Sequence, residues 1–168
     1  MASKIKRVYW DSCAWLGLIN KEAAKHRELR LIWEAGTQGA YEIWTSFFTY
    51  AEVFKAKCEE GDLSLPADSD KIIDAMMDQP HVKRIQVDFI IGQLARKLLR
   101  DHPELKKPQD AIHLASAVHL NVEALHTYDG SNLLKLGGKV KKRNGDFLRI
   151  CTPDIDSDGP LFAKAKAS

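Results

Sequence analysis

What most constrains the fold of this chain is an alternation: short runs rich in β-branched and aromatic residues give way, repeatedly, to longer segments whose apolar residues recur at helical spacing. Residues 5–10 (Ile-Lys-Arg-Val-Tyr-Trp) read as a strand, and Asp11-Ser12 then opens a segment, 13–20, suited to a helix. Across 22–35, Ala24, Leu29, Ile32 and Trp33 recur at helical spacing, and the glycines at 36 and 39 close the segment. A second strand is read over 41–45. Thr45 and Ser46 are good N-cap residues for a helix whose buried stripe is Phe47, Ala51, Phe54 and Cys58, with Glu52 beside that stripe. After the acidic, Pro-containing stretch 59–70, a helical pattern over 72–77 stops before Pro80. A third strand follows over 81–87, then an amphipathic helix over 89–100 that His102-Pro103 ends. Pro108 suits the first turn of a helix in which Ala111, Leu114, Ala115 and Val118 share one face, so Asp110 lies in its first turn. Strand four is read over 122–127, a short helix over 131–136 and strand five over 147–152, preceded by a basic, glycine-containing loop at 137–145.

Without internal repeats or low-complexity tracts, this order indicates one α/β domain with a mainly parallel sheet. The 168 residues, 45% of them hydrophobic, suffice for a single sizeable core. The domain is expected over 1–152, and the polar tail 153–168 is expected to be partly disordered.

Charge excludes one class of function. With 25 basic against 23 acidic side chains the net charge is +2, far from a protein that grips nucleic acid by overall charge, so any RNA contact must come from local patches. Three cysteines without a C-x-x-C pair give neither a disulfide framework nor a thiolate zinc site, and reduced thiols fit them best. Asp11 and Ser12 interrupt the apolar run after the basic N-terminus, so no signal-peptide core is expected there. Nor does any run approach the roughly 18 apolar residues of a membrane span. The expectation is a soluble, cytoplasmic protein.

In a parallel α/β sheet, sites form at the carboxyl ends of the strands. Asp11 directly follows strand one and Asp129 lies just beyond strand four, while Glu52 sits early in the helix after strand two and Asp110 opens the helix that feeds strand four. All four acids can therefore reach one end of the sheet. Carboxylates packed together repel one another unless a divalent cation neutralises them or some stay protonated. Oxygen-only ligands suit Mg²⁺ or Mn²⁺ rather than zinc, and such ions promote phosphodiester hydrolysis by activating water and stabilising charge on the attacking and leaving oxygens. Each acid also has a plain structural reading. Asp110 can complement a helix dipole, Asp129-Gly130 is an ordinary turn dipeptide, and Glu52 can be a solvated helix residue. Asp11 is hardest to explain this way, because a carboxylate set against Trp10 and Cys13 is costly to desolvate unpaired.

The stretches Tyr9-Trp10-Asp11-Ser12-Cys13-Ala14-Trp15-Leu16, Thr45 to Ala56 around Glu52, and Pro108-Gln109-Asp110-Ala111-Ile112-His113-Leu114-Ala115-Ser116-Ala117 with Leu125-His126-Thr127-Tyr128-Asp129 resemble the PIN-domain family (PilT N-terminus). In size and layout the chain is similar to the VapC-like toxin ribonucleases of toxin–antitoxin modules. The resemblance, which covers about residues 5 to 152, implies a single PIN-like domain with a five-stranded parallel sheet, strand order 3-2-1-4-5, flanked by helices. It implies that Asp11, Glu52, Asp110 and Asp129 are catalytic and hold Mg²⁺ or Mn²⁺, with Ser12 and Thr127 as supporting groups. It further implies endoribonuclease cleavage leaving 5′-phosphate and 3′-hydroxyl ends, a homodimer, and an antitoxin protein as partner. The 59–70 insertion, the 137–145 loop and the tail depart from the compact toxin pattern. Alternative readings are a PIN-domain nuclease of RNA processing or turnover, and a PIN-like binding module that does not cut.

Lys106, Lys107, Lys139, Lys141, Lys142 and Arg143 are candidate RNA-phosphate contacts or simply solvated charge. His113, three residues after Asp110, is expected to be a packed histidine bonded to backbone. Trp10, Trp15, Trp33 and Trp44 are expected to pack rather than stack on bases. The segments 13–20 and 22–35 either offer a surface for a partner helix or cover the sheet. Haloacid-dehalogenase-like phosphatases also place an Asp after strand one, but they need a second Asp two residues on, where this chain has Cys13.

Overall fold

The computed structural model describes residues 4–54 and 65–155. Five strands, β1 (Lys6–Trp10), β2 (Tyr41–Ser46), β3 (Val82–Ile85), β4 (Ala124–His126) and β5 (Arg149–Cys151), form one sheet in the order β3-β2-β1-β4-β5. Every pairing in it is parallel, with Val8 opposite both Ile43 and Ala124 at the centre. The fold is thus the α/β architecture expected, with its strand order. Because β1 is flanked by β2 on one side and β4 on the other, the chain leaves it in opposite directions, which opens a crevice at the carboxyl ends of the central strands.

Strand alternation divides the core into two layers. Val8 and Trp10 of β1 and Ala124 of β4 face helices α1 (Ser12–Ile19), α2 (His26–Thr37) and α4 (Ser69–Met77), whereas Tyr9 and Leu125 face α5 (Phe89–Asp101) and α6 (Pro108–Leu120). Both faces of the central strands are therefore buried, as a parallel sheet requires. Helix α1 has no exposed stripe: Cys13 to Leu18 are all buried. In α2 the buried residues Leu29, Ile32 and Ala35 follow helical spacing. Of the two roles open to these segments, both cover the sheet. Helix α6 is buried at Ala111 and from His113 to Val118, starts with Pro108 in its first turn and ends at Asn121 in the left-handed conformation.

The segment after β2 departs from expectation. Thr45 and Ser46 do not cap a helix; they stay in β2, where the Thr45 hydroxyl donates to the Trp10 carbonyl at 3.0 Å and pairs with the Thr49 hydroxyl at 2.8 Å. Helix α3 is consequently only Phe48–Glu52, with Phe47 at its N-cap. Phe47, Ala51 and Phe54 point outward, and Thr49 and Val53 are the buried residues. The polar pair Thr45–Thr49 takes the inward side that the apolar pattern had assigned to the phenylalanines. Cys58 and residues 59–64, half of the 59–70 stretch, lie outside the described residues. Helix α2 also begins four residues later than expected, at His26, because Glu22 to Lys25 form a turn closed by the Lys25 N–H donating to the Glu22 carbonyl at 2.9 Å.

Trp10 and Trp15 are fully buried and meet edge to face, with ring centroids 5.2 Å apart. Trp33 and Trp44 are partly buried, Trp44 donating to Glu42 at 2.9 Å. The 137–145 loop folds back on itself through an antiparallel bridge between Lys141 and Phe147. Of the tail, Pro153 and Ile155 are buried against the sheet, and 156–168 lie outside the described residues. Cys13 is disulfide-bonded, which corrects the expectation of a reduced thiol there. Among the described residues no helix is long and apolar enough to cross a membrane.

Candidate active site

At the carboxyl end of β1 and β4 lies a cleft of about 750 Å³, and Asp11, Ser12, Glu52, Lys107, Asp110 and Asp129 all line it. Four acids from four separate segments thus line one cleft. Asp11 follows β1 directly and is the N-cap of α1. Its Oδ1 accepts from the Ala14 N–H at 3.0 Å, and its Oδ2 accepts from the Thr127 hydroxyl just after β4. This answers the desolvation argument: the carboxyl is nearly completely buried, but each oxygen has a donor. An ionised carboxylate offers about four lone-pair sites, so these two bonds leave acceptor capacity toward the cleft. Burial raises the Asp11 pKa, against the opposing effects of His113, Thr127 and the Ala14 amide.

Thr127 also accepts from the Asp129 N–H at 3.0 Å, so one buried hydroxyl ties two of the four acids together. Asp129 itself closes a turn: its Oδ1 accepts from the Ser131 N–H at 2.9 Å, the Ser131 hydroxyl at 2.6 Å and the Asn132 N–H at 3.2 Å. Its turn reading and its place in the cleft are therefore both true of the same residue. Burial alone would raise its pKa, but these donors from Ser131 and Asn132 bring it below the usual aspartate value. Asp110, in the first turn of α6, has the opposite environment. Burial, then the neighbouring Asp129 charge, push its pKa up to about 7. Its Oδ2 is buried without a hydrogen-bond partner among the described residues.

The glutamate is held differently. Glu52 ends α3, and its Oε2 lies 2.6 Å from Nε2 of His113. On the other side of the ring, Nδ1 of His113 lies 2.9 Å from the Tyr9 hydroxyl. His113 is packed, as expected, but its partners are a phenol and a carboxylate, not backbone. Burial disfavours its charged form, yet Tyr9 and Glu52 outweigh that and raise its pKa well above the ordinary histidine value. The sequence held one usable signal for this link. His113 stands one helical turn after Asp110, on the same side of α6. Tyr9 carries no such signal in the sequence, where it is one residue of the 5–10 strand run.

Of the six basic candidates only Lys107 lines the cleft. Lys139 is paired with Glu104 at 2.5 Å, and Lys141 lies over the Phe147 ring. Tyr128, Phe48 and Phe54 add aromatic surface to the cleft wall.

The family model of the PIN domain matches residues 8–138, most of the chain and all four acids. The chain belongs to the PIN domain family. Two solved structures share its fold. VapC20 of Mycobacterium tuberculosis, a toxin that cleaves the sarcin-ricin loop, superposes with a TM-score of 0.57 at 17% identity, covering 73% of this chain and 90% of that one. VapBC2 of Rickettsia felis, bound to a DNA fragment from its promoter, gives 0.54 at 15% identity, covering 88% of this chain and 99% of that one. At these identities the likeness is one of fold. No curated protein matches the sequence.

The donor set of this PIN domain suits a hard divalent cation in kind: carboxylate oxygens, one of them buried and unpartnered, beside a like charge that a cation would neutralise. Among the described residues, no three ligand side chains converge on a single point as they stand.

Proposed function

We propose that this PIN domain is a Mg²⁺- or Mn²⁺-dependent endoribonuclease, the toxin of a type II toxin–antitoxin pair acting in the cytoplasm. The observation that carries the reading is Asp110, whose buried Oδ2 has no hydrogen-bond partner among the described residues and whose pKa stays raised despite the nearby Lys107 and His113 charges, in a cleft shared with three other acids.

Asp11, Glu52, Asp110 and Asp129 would hold the ion, which when bound would activate water and offset charge at the scissile phosphate. The residues of the chain have distinct tasks. Thr127 fixes Asp11 and the Asp129 backbone in one arrangement. Ser12, at the start of α1, lies in the cleft wall where it can donate to a bound water or phosphate oxygen. Lys107 places a positive charge at the mouth and draws the RNA backbone in; Lys106, Lys139, Lys141, Lys142 and Arg143 extend this contact outside the cleft. A homodimer and an antitoxin partner belong to the same reading, and the fold shared with VapBC2 supports the antitoxin.

A binding module that does not cut is the second reading, favoured by the lack of convergence of three ligands among the described residues. Cleavage of a mixed RNA panel by wild type and Asp11→Asn in Mn²⁺, Mg²⁺ and EDTA, with product ends analysed, separates the two. Metal-dependent cutting with 5′-phosphate products that is lost in the variant is the expected result. A wild type that binds no ion would leave the binding module standing. Cutting without any toxic effect on expression in cells would move the assignment to RNA processing or turnover.

A further inference from the structure

Glu52 has the least secure backbone of the four acids. Asp11 and Asp129 are fixed by capping and turn bonds, and Asp110 rides on the thirteen-residue helix α6. Glu52 ends a helix of only five residues, too short to be stable by itself, and the next residue, Val53, already has non-helical backbone (φ −85°, ψ 66°). A glutamate there has three side-chain torsions and, among the described residues, no local partner to fix them. What fixes it lies 61 residues on, where His113, one of the most buried polar residues in the protein, presents Nε2 at 2.6 Å.

We propose that Tyr9 and His113 form a positioning pair, carried by β1 and α6, that orients the Glu52 carboxylate in the cleft. The imidazole is clamped on both edges, by the Tyr9 hydroxyl at Nδ1 and by Glu52 at Nε2, with the Phe48 ring packed at 5.9 Å. The arrangement does not depend on the charge of the ring. A carboxylate can only accept, so Nε2 donates to Glu52 in either state. The hydroxyl can donate to a neutral ring or accept from a charged one. With Oε2 engaged, the Glu52 carboxylate has its orientation set while its remaining capacity faces the cleft that it lines. Outer partners of this kind fix the geometry of carboxylate ligands, and their loss typically weakens metal binding or activity by about 10–100-fold. The inference rests on the metal-dependent reading of the cleft.

The test is Mn²⁺ titration by calorimetry without RNA, together with kcat and KM for RNA cleavage, on wild type, His113→Leu, His113→Gln and Tyr9→Phe, with urea midpoints to confirm folding. His113→Leu is expected to weaken Mn²⁺ binding about 10–100-fold and to lower kcat with KM for RNA unchanged. His113→Gln, which keeps an N–H near the position of Nε2, is expected to recover most of both, and Tyr9→Phe to lie between wild type and His113→Leu. Should His113→Leu not fold, the ordering of the other two against wild type decides. Variants that bind Mn²⁺ as wild type does, or a loss that His113→Gln does not recover, overturn the positioning role alone. A wild type that binds no Mn²⁺ overturns the metal reading, and this inference with it.

Discussion

The hydroxyl of Thr127 donates to Oδ2 of Asp11 across 116 residues of chain, joining the end of β4 to the start of α1. The same oxygen accepts from the Asp129 amide, so a single side chain registers two acids against each other. Thr127→Val keeps the shape and removes both bonds. It should destabilise the fold by about 1–3 kcal/mol, because a buried carboxylate oxygen loses its donor, and lower RNA cleavage by about 10–100-fold. Chemical denaturation and steady-state cleavage measure the two effects; a stable Thr127→Val with full activity would remove the hydroxyl from the site.

Asp110→Asn should separate stability from function. It relieves a buried carboxyl of its charge and of repulsion from Asp129, so the metal-free protein should gain about 1 kcal/mol, kept modest because the group is only partly buried. For a chain of this size that corresponds to a rise in Tm of about 2–4 °C. Cleavage, by contrast, should be abolished. A metal-free melt at neutral pH checks the first half, and a fall in Tm would show that Asp110 is stabilised by a partner rather than strained.

The same residue sets a pH dependence. Its pKa rises from 3.8 to about 7 on folding, so between these values the folded state holds a proton that the unfolded state has released. Stability of the metal-free protein should therefore be fullest below about pH 4 as far as this group is concerned, and decline as pH climbs toward 7. Asp11, also raised by burial, acts in the same sense. Asp129, lowered by its turn donors, acts in the opposite sense only at the acid end, losing its contribution as pH falls below its ordinary range. Thermal melts from pH 4.5 to 8 in EDTA should show the decline, and Asp110→Asn should flatten it.

Lys107 and Lys142 should differ as RNA contacts. Lys107 lines the cleft, whereas Lys142 lies on the folded-back loop, its backbone N–H held by the Asp146 carbonyl. Lys107→Ala should raise KM for RNA and reduce the salt dependence of binding by about one counterion, with Lys142→Ala giving a smaller change in both. Equal effects from the two would place the RNA path over the loop as much as over the cleft mouth.

Much of this protein was legible in its residues taken in order. Five short β-branched runs separated by helical patterns define a parallel α/β sheet, because period-two and period-3.6 patterns bury different faces. An acid placed just past such a strand lands at the carboxyl end of the sheet, which is why Asp11 and Asp129 could be assigned to one site before any coordinates. The helix after β2 departs from its pattern, because the stripe of Phe47, Ala51 and Phe54 satisfies helical spacing while the hydroxyls of Thr45 and Thr49 satisfy one another inside. Local pattern carries no information about which face a partner hydroxyl will claim. The donors of each acid were equally hidden: Thr127 for Asp11, Ser131 and Asn132 for Asp129, none among the described residues for Oδ2 of Asp110, and His113 for Glu52. Three aspartates of equal chemistry in the sequence, Asp11, Asp110 and Asp129, took up different proton affinities only once packing had fixed how much water and which donors each retained. The sequence by itself determined the order of the strands' apolar faces and which acids reach one end of the sheet. Only the tertiary structure decided which of those acids is paired, which is strained and which is held by a histidine, because desolvation and hydrogen bonding depend on neighbours that the chain brings together from far apart.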